Sequence, residues 1–172
     1  MGGAKPARAL AGRPLLAYPA AALASVCERV VIVAKAGDDL PPLEGVERWD
    51  EHDEPRHPLT GIVHALERAD APVFVCAADM PFVTPEACRT LATGGGSALA
   101  VVAVAGGVLQ PVFAIYAPAS LPALLAAEPD APLTRTVEAL EPARVAVPPP
   151  LLRSVDTPEE LAAAEAELRG SS

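Results

Sequence analysis

Short aliphatic runs alternate with longer mixed stretches along this chain. Val30–Ala34 and Val73–Ala78 are brief, valine-rich runs with no alternating polar residue. Their length and β-branched content predict strands buried on both faces. Leu99–Val104 and Leu109–Tyr116 predict two more strands, turned at Gly106-Gly107. Arg144–Val147 reads as a short strand, and Val46–Trp49 as a brief edge strand ending at Asp50. Helical patterns fill the intervals: Pro14–Val26 after a Gly12-Arg13-Pro14 turn, then Pro58 to about Arg68, then Ala119–Ala127 and Leu133–Leu140. Thr84 precedes Pro85, and Thr157 precedes Pro158, so each threonine is placed to cap a helix whose first position is proline. Glu160 completes a capping box with Thr157 and opens a last helix that runs to about Leu168. Pro148-Pro149-Pro150 predicts a rigid extended connector.

Alternating strands and helices predict an α/β fold: a Rossmann-like three-layer α/β/α sandwich, its sheet mostly parallel with one antiparallel strand from the Gly106 hairpin. No repeat or linker divides residues 1–172, so a single domain is expected.

Composition narrows the partners. The net charge of −9 argues against nucleic acid. No apolar run reaches the ~18 residues that span a bilayer, and Met1 leads into no secretory pattern, so a cytoplasmic protein without membrane partners is expected. Cys27, Cys76 and Cys88 lack metal-ligand spacing and read as reduced core residues. Lysine occurs only at positions 5 and 35, so each position is informative.

The chemistry concentrates at Asp79. It follows the Val73–Ala78 run directly, and Pro81 then breaks the strand. Open parallel sheets bind ligands beyond the carboxyl ends of their strands. A carboxylate there is placed to hold a metal ion at a ligand's phosphates; the alternative is a carboxylate that caps the turn at Thr84 or meets water. Gly2 and Gly3 followed by Lys5 have the composition of a loop that cradles phosphate, or of slack chain near a terminus. Asp50 to Pro58 holds acids and two histidines, but without spacing that would align them on a metal, and reads as a solvated loop. Gly61 in the first turn of its helix allows close approach of a ligand or a neighbouring strand.

Four islands then carry a resemblance. They are Met1-Gly2-Gly3-Ala4-Lys5 with Gly12-Arg13-Pro14-Leu15-Leu16; Pro58-Leu59-Thr60-Gly61; Cys76-Ala77-Ala78-Asp79-Met80-Pro81; and Val155-Asp156-Thr157-Pro158-Glu159-Glu160-Leu161. Gln110-Pro111-Val112-Phe113 is a weaker fifth. In order and separation they resemble the molybdenum cofactor guanylyltransferases, within the nucleotidyltransferase group that also holds the molybdopterin cytidylyltransferases. The resemblance implies transfer of GMP from GTP, or CMP from CTP, to the phosphate of a pterin cofactor, with release of pyrophosphate. It implies that Lys5 contacts the nucleotide phosphates with Gly2 and Gly3, that Asp50 belongs to the nucleotide site, and that Asp79 binds Mg2+. Asp156 is a second candidate metal ligand, or another cap for the last helix. Molybdoenzymes or cofactor-insertion proteins would be the partners downstream. Such chemistry asks the protein mainly for positioning and charge neutralisation.

The chain departs from that family in places. The family's motif begins upstream, with a buried strand and Leu-Ala-Gly-Gly before the Met-Gly, so an incomplete N-terminus and a longer natural product are expected. The family usually has glycine where His57 stands, and Asp156 weakens the choice of guanine over cytosine, although Pro58-Leu59-Thr60-Gly61 leans towards guanine. The alternatives are a cytidylyltransferase or guanylyltransferase acting on another small phosphorylated acceptor, or a non-catalytic nucleotide-binding or interaction remnant of this fold, with its open sheet paired to another chain.

Overall fold

The computed structural model describes residues 7–51, 57–128 and 130–170. The chain folds as a mixed α/β protein. A hairpin of β1 (Ala9–Leu10) and β2 (Arg13–Pro14) leads into helix α1 (Ala17–Ala24). The hairpin turn places Ala11 at φ +48° and Gly12 at φ +80°, the positive pair that tight two-residue hairpins require. The sequence predicts only a plain turn at Gly12-Arg13-Pro14.

Strands β3 (Val31–Lys35) and β4 (Glu47–Glu51) pair in parallel, and α2 (Pro58–Ala69) follows. His57 caps α2: its Nδ1 accepts from the Leu59 N–H at 3.2 Å, and Pro58 takes the first helical position. Strand β5 (Val73–Cys76) leads through the Asp79 loop to α3 (Pro85–Thr93), where Thr84 Oγ1 accepts from the Ala87 N–H. Strands β6 (Ala100–Ala105) and β7 (Val108–Tyr116) form the expected hairpin around Gly106 and Gly107. Then come α4 (Leu121–Leu125), α5 (Leu133–Glu138), β8 (Ala143–Ala146) and α6 (Pro158–Gly170).

Among the described residues the strands form three separate ladders. The largest has the order β5-β7-β6-β8, with β7 antiparallel to both neighbours and β6 parallel to β8. The antiparallel strand is therefore inside its sheet, and β3–β4 is not hydrogen-bonded to β5. This differs from the single continuous sheet that the sequence suggests.

The four-stranded ladder has cores on both faces. Val101, Ala103 and Phe113 pack with Cys88 and Leu91 of α3. Ala100, Val102 and Tyr116 pack with Ile62 of α2, Leu124 of α4 and Val137 of α5. A third cluster joins Leu10 and Leu15 to Val155 and Ala164, tying the N-terminal hairpin to α6.

Two expectations need correction. Strand β5 is not buried on both faces: all four of its residues are partly exposed, because one of its edges has no neighbouring strand among the described residues. The proline connector is not extended either. Pro149–Leu152 forms one turn of 3-10 helix; proline's fixed φ suits that turn as well as an extended run, and the turn buries Leu152.

Candidate active site

The loop after β5 begins where the ladder stops. The Ala77 N–H still donates to the Val112 carbonyl at 2.9 Å, and Asp79 lies two residues further on, partly exposed. The loop is stitched to a second one: the Val155 N–H donates to the Asp79 carbonyl at 2.9 Å. Residue 156 is therefore brought beside the Asp79 loop.

Asp156 itself is exposed, and the Ser154 hydroxyl donates to its Oδ2 at 3.0 Å. Capping of α6 falls to other groups. Glu160 Oε2 accepts from the N–H groups of Asp156 and Thr157 at 2.8 and 2.9 Å, and Thr157 Oγ1 accepts from the Glu160 N–H. Those backbone donors hold the Glu160 carboxyl below its ordinary pKa of 4.5.

Asp50 occupies a different setting. The sequence predicts that the strand ends at this residue, but β4 runs one residue further, to Glu51. Side chains alternate along a strand, so Asp50 shares the outer face with Arg48. The Arg48 guanidinium binds Asp50 Oδ1 at 2.7 Å and also donates to the carbonyls of Lys35, Ala36 and Asp38. This clamp fixes the loop after β3.

Glu51 turns the other way, towards α2, with Trp49 buried on the same face. Its Oε1 lies 3.2 Å from Lys35 Nζ, and both side chains are nearly nine-tenths buried or more. Glu51 Oε2 is buried without a hydrogen-bond partner among the described residues. Sequence reasoning missed this acid; the two-residue alternation from Trp49 would have found it. Gly61 lies nearby, but a Cβ there would meet the Glu51 oxygens at 3.7 Å, an ordinary contact. Close approach of β4 is therefore not what requires glycine at 61.

Gly2, Gly3 and Lys5 lie outside the described residues, as do His52 to Arg56 of the polar loop. Asp79 and Asp156 come together through their loops, whereas Asp50 sits at the end of the separate β3–β4 pair. Among the described residues no cluster of three or more His, Cys, Asp or Glu side chains could cage a metal alone. Magnesium does not need one: it keeps waters and takes one or two carboxylates plus substrate phosphates. Asp79 and Asp156 fit that donor set. The cysteines offer no nucleophile. Burial, then Cys88 and the Asp79 carboxylate, push the Cys76 thiol upward, and burial raises Cys88 to about 11.

A carboxylate past the carboxyl end of β5, joined to a second acidic loop, is thus carried on a mixed α/β fold. The chain belongs to the family of the MobA-like NTP transferase domain, whose model matches residues 1–145. No curated protein sequence matches it. Solved structures agree on the fold. Molybdopterin-guanine dinucleotide biosynthesis protein A from Archaeoglobus fulgidus superposes with a TM-score of 0.71 at 20% identity, covering 98% of this chain and 91% of that one. The 2-C-methyl-D-erythritol 4-phosphate cytidylyltransferase of Thermus thermophilus gives 0.70 at 20% identity, over 98% and 95%. A Mycobacterium tuberculosis protein solved in complex with manganese gives 0.74 at 14% identity, over 96% and 93%. No helix of the described residues is long and apolar enough to cross a membrane.

Proposed function

We propose that this chain transfers a nucleotidyl group, GMP from GTP ahead of CMP from CTP, to the phosphate of a pterin cofactor. A phosphate oxygen of the acceptor attacks the α-phosphorus, the bond to the β-phosphate breaks, and pyrophosphate leaves. The observation that carries the reading is the joint between the two acidic loops: the Val155 N–H on the Asp79 carbonyl holds Asp79 and Asp156 at one end of β5.

Asp79, with Asp156, would hold Mg2+, which when bound neutralises phosphate charge and orients the leaving group. Lys5, with Gly2 and Gly3, is assigned to the triphosphate, and Asp50 to the nucleoside. Two structures of similar fold frame the substrate choice: one is named for guanine dinucleotide synthesis and the other is a cytidylyltransferase acting on a sugar-alcohol phosphate.

Pyrophosphate release from GTP and from CTP in the presence of magnesium tests the reading. Asp79→Asn keeps the backbone joint to Val155 and should lower turnover at least ~100-fold without lowering the melting temperature. Full activity in that variant would remove Asp79 from the mechanism.

A further inference from the structure

Strand β7 changes faces partway along its length. Val102 of β6 pairs with Ala114, and the next residue, Ala103, pairs with Gln110. Pro111, Val112 and Phe113 are therefore extra on the β7 side, a bulge beside the end of β5. An odd number of extra residues reverses the alternation of side chains. Ala114 and Tyr116 pack on the α2 side of the sheet, and so does Leu109. A regular strand would put Gln110, not Leu109, on that face with Ala114. The bulge instead sets Gln110 on the opposite face with its partner Ala103, where Met80 and Val83 of the Asp79 loop also pack.

The bulge is held from both sides. Pro111 is buried and has no N–H to leave unpaired. Its carbonyl accepts from the Tyr116 hydroxyl at 2.7 Å, and Tyr116 is fully buried. The Val112 carbonyl turns to the other neighbour and accepts from the Ala77 N–H. Bulges next to active sites re-aim a side chain. Here the re-aimed side chain is Gln110, a partly exposed amide between buried Leu109 and buried Pro111. Its Nε2 lies 3.4 Å from the Val108 carbonyl, longer than an ordinary hydrogen bond.

Its place points to a substrate. Cys76 pairs with Phe113, so the same register carried onward would set Asp79 opposite Gln110, and neighbouring strands lie ~5 Å apart. Strands β5, β6 and β8 run in one direction. The Asp79 loop, the Gly106 hairpin and the chain from β8 to Asp156 therefore all leave the sheet at one end. The hairpin rests against that chain: a Cβ on Gly106 would stand 3.7 Å from Pro149. Gln110 thus borders the two acidic loops from the β7 side. Asp50, assigned to the nucleoside, belongs to the β3–β4 pair on the far side of β5. In an in-line displacement the attacking and leaving oxygens take opposite sides of the phosphorus. The β7 side is the one left to the acceptor. A neutral amide there can donate to a phosphate oxygen, where a third carboxylate would repel it.

We propose that the Gln110 side-chain amide binds the phosphate of the acceptor, donating to one of its oxygens beside Asp79 and Asp156; this rests on the nucleotidyl-transfer reading and names the acceptor's contact. Steady-state transfer from GTP to molybdopterin is the first test. Gln110→Ala should raise the acceptor KM about 10-fold or more and leave the GTP KM within about twofold. It should melt within about 2 °C of the parent. Gln110→Glu keeps the stem beside Ala103, loses the donors and adds like charge, so it should bind the acceptor more weakly still. A side chain that only covers Ala103 would leave the glutamate form equal to the parent. An unchanged acceptor KM in both variants overturns the proposal, as does an equal rise in the KM for GTP. The second test needs no turnover. With the parent saturated by magnesium and α,β-methylene GTP, millimolar inorganic phosphate should shift the NMR signals of the Gln110 side-chain NH2 beyond any change made by the nucleotide analogue. No such shift overturns the proposal, whether or not transfer occurs. A shift in a protein that transfers nothing to molybdopterin keeps Gln110 as a phosphate contact and removes the pterin-transfer reading instead.

Discussion

Strands β5 and β6 are both short, aliphatic and rich in valine, yet they end in opposite states. Five of the six residues of β6 are buried, and none of the four in β5 is. The difference lies in their neighbours. Strand β6 has β7 on one side and β8 on the other, with helical layers over both faces. Among the described residues strand β5 has β7 on one side and, on the other, a cleft lined also by Val31 of β3. An aliphatic run records what a strand is suited to, while the partners present decide how much of that surface leaves water. The molecule thus divides into a closed half, β5-β7-β6-β8, and an open margin where β3–β4 is joined to it through α2.

Two phenylalanines test that division most strongly. Phe113 on β7 is fully buried, and Phe74 on β5 is half-buried, with their rings 5.3 Å apart. Phe113→Ala should cost about 4 kcal/mol, as for large-to-small changes in a closed core. Phe74→Ala should cost only about 1–2 kcal/mol, in proportion to the smaller apolar area it removes from water. Urea unfolding of both variants measures the difference. Equal costs would mean that the cleft beside Phe74 is shut in solution, and the comparison would fail.

Two glycines sharpen it at smaller cost. A Cβ on Gly95 would stand 1.9 Å from Cγ2 of Val101 on β6. Valine is stiff at χ1, so the strand or the turn must move, and Gly95→Ala should destabilise by about 2–3 kcal/mol. Gly61, on the margin, meets only ordinary contacts. Gly61→Ala replaces a helical glycine and should be neutral or stabilising by up to about 1 kcal/mol. Thermal melts of the pair give the sign of each.

The two regions were not equally legible in the sequence. Helix starts at Thr84 and Thr157 were readable because cap and proline sit in adjacent positions, and the Gly106 hairpin because two glycines interrupt two aliphatic runs. These are local codes. What the sequence withheld is non-local. Val73–Cys76 reads as an inner strand and is suited to be one, but nothing within it says which strand lies alongside. Asp50 drew attention as the last acid of a short strand; one further residue of pairing gave the inward position to Glu51 and left Asp50 to Arg48. The position of Asp79 just past a strand was legible because a strand, a carboxylate and a proline follow in order. That Val155 would hold its loop required the fold.

The smallest effect belongs to neither half. Glu160 accepts from the backbone of Asp156 and Thr157, and these bonds hold its pKa below 4.5 in the folded chain. A depressed folded pKa means that the unfolded chain binds more protons over the window between the two values, so stability rises with pH there. The contribution is complete above the ordinary value of 4.5 and disappears as the pH falls through the lower folded value. Glutamine at this position can still accept from those N–H groups but cannot titrate. Glu160→Gln should therefore flatten the loss of stability between about pH 6 and pH 3 while changing neutral stability little. Acid should lower amide protection, measured against the intrinsic exchange rate at each pH, first at Asp156 and Thr157, leaving β5 and β6 equally protected relative to neutral pH. If β5 amides loosened first instead, acid would be acting on the open margin, and the contrast between the two strands would need a charge term beyond the missing neighbour.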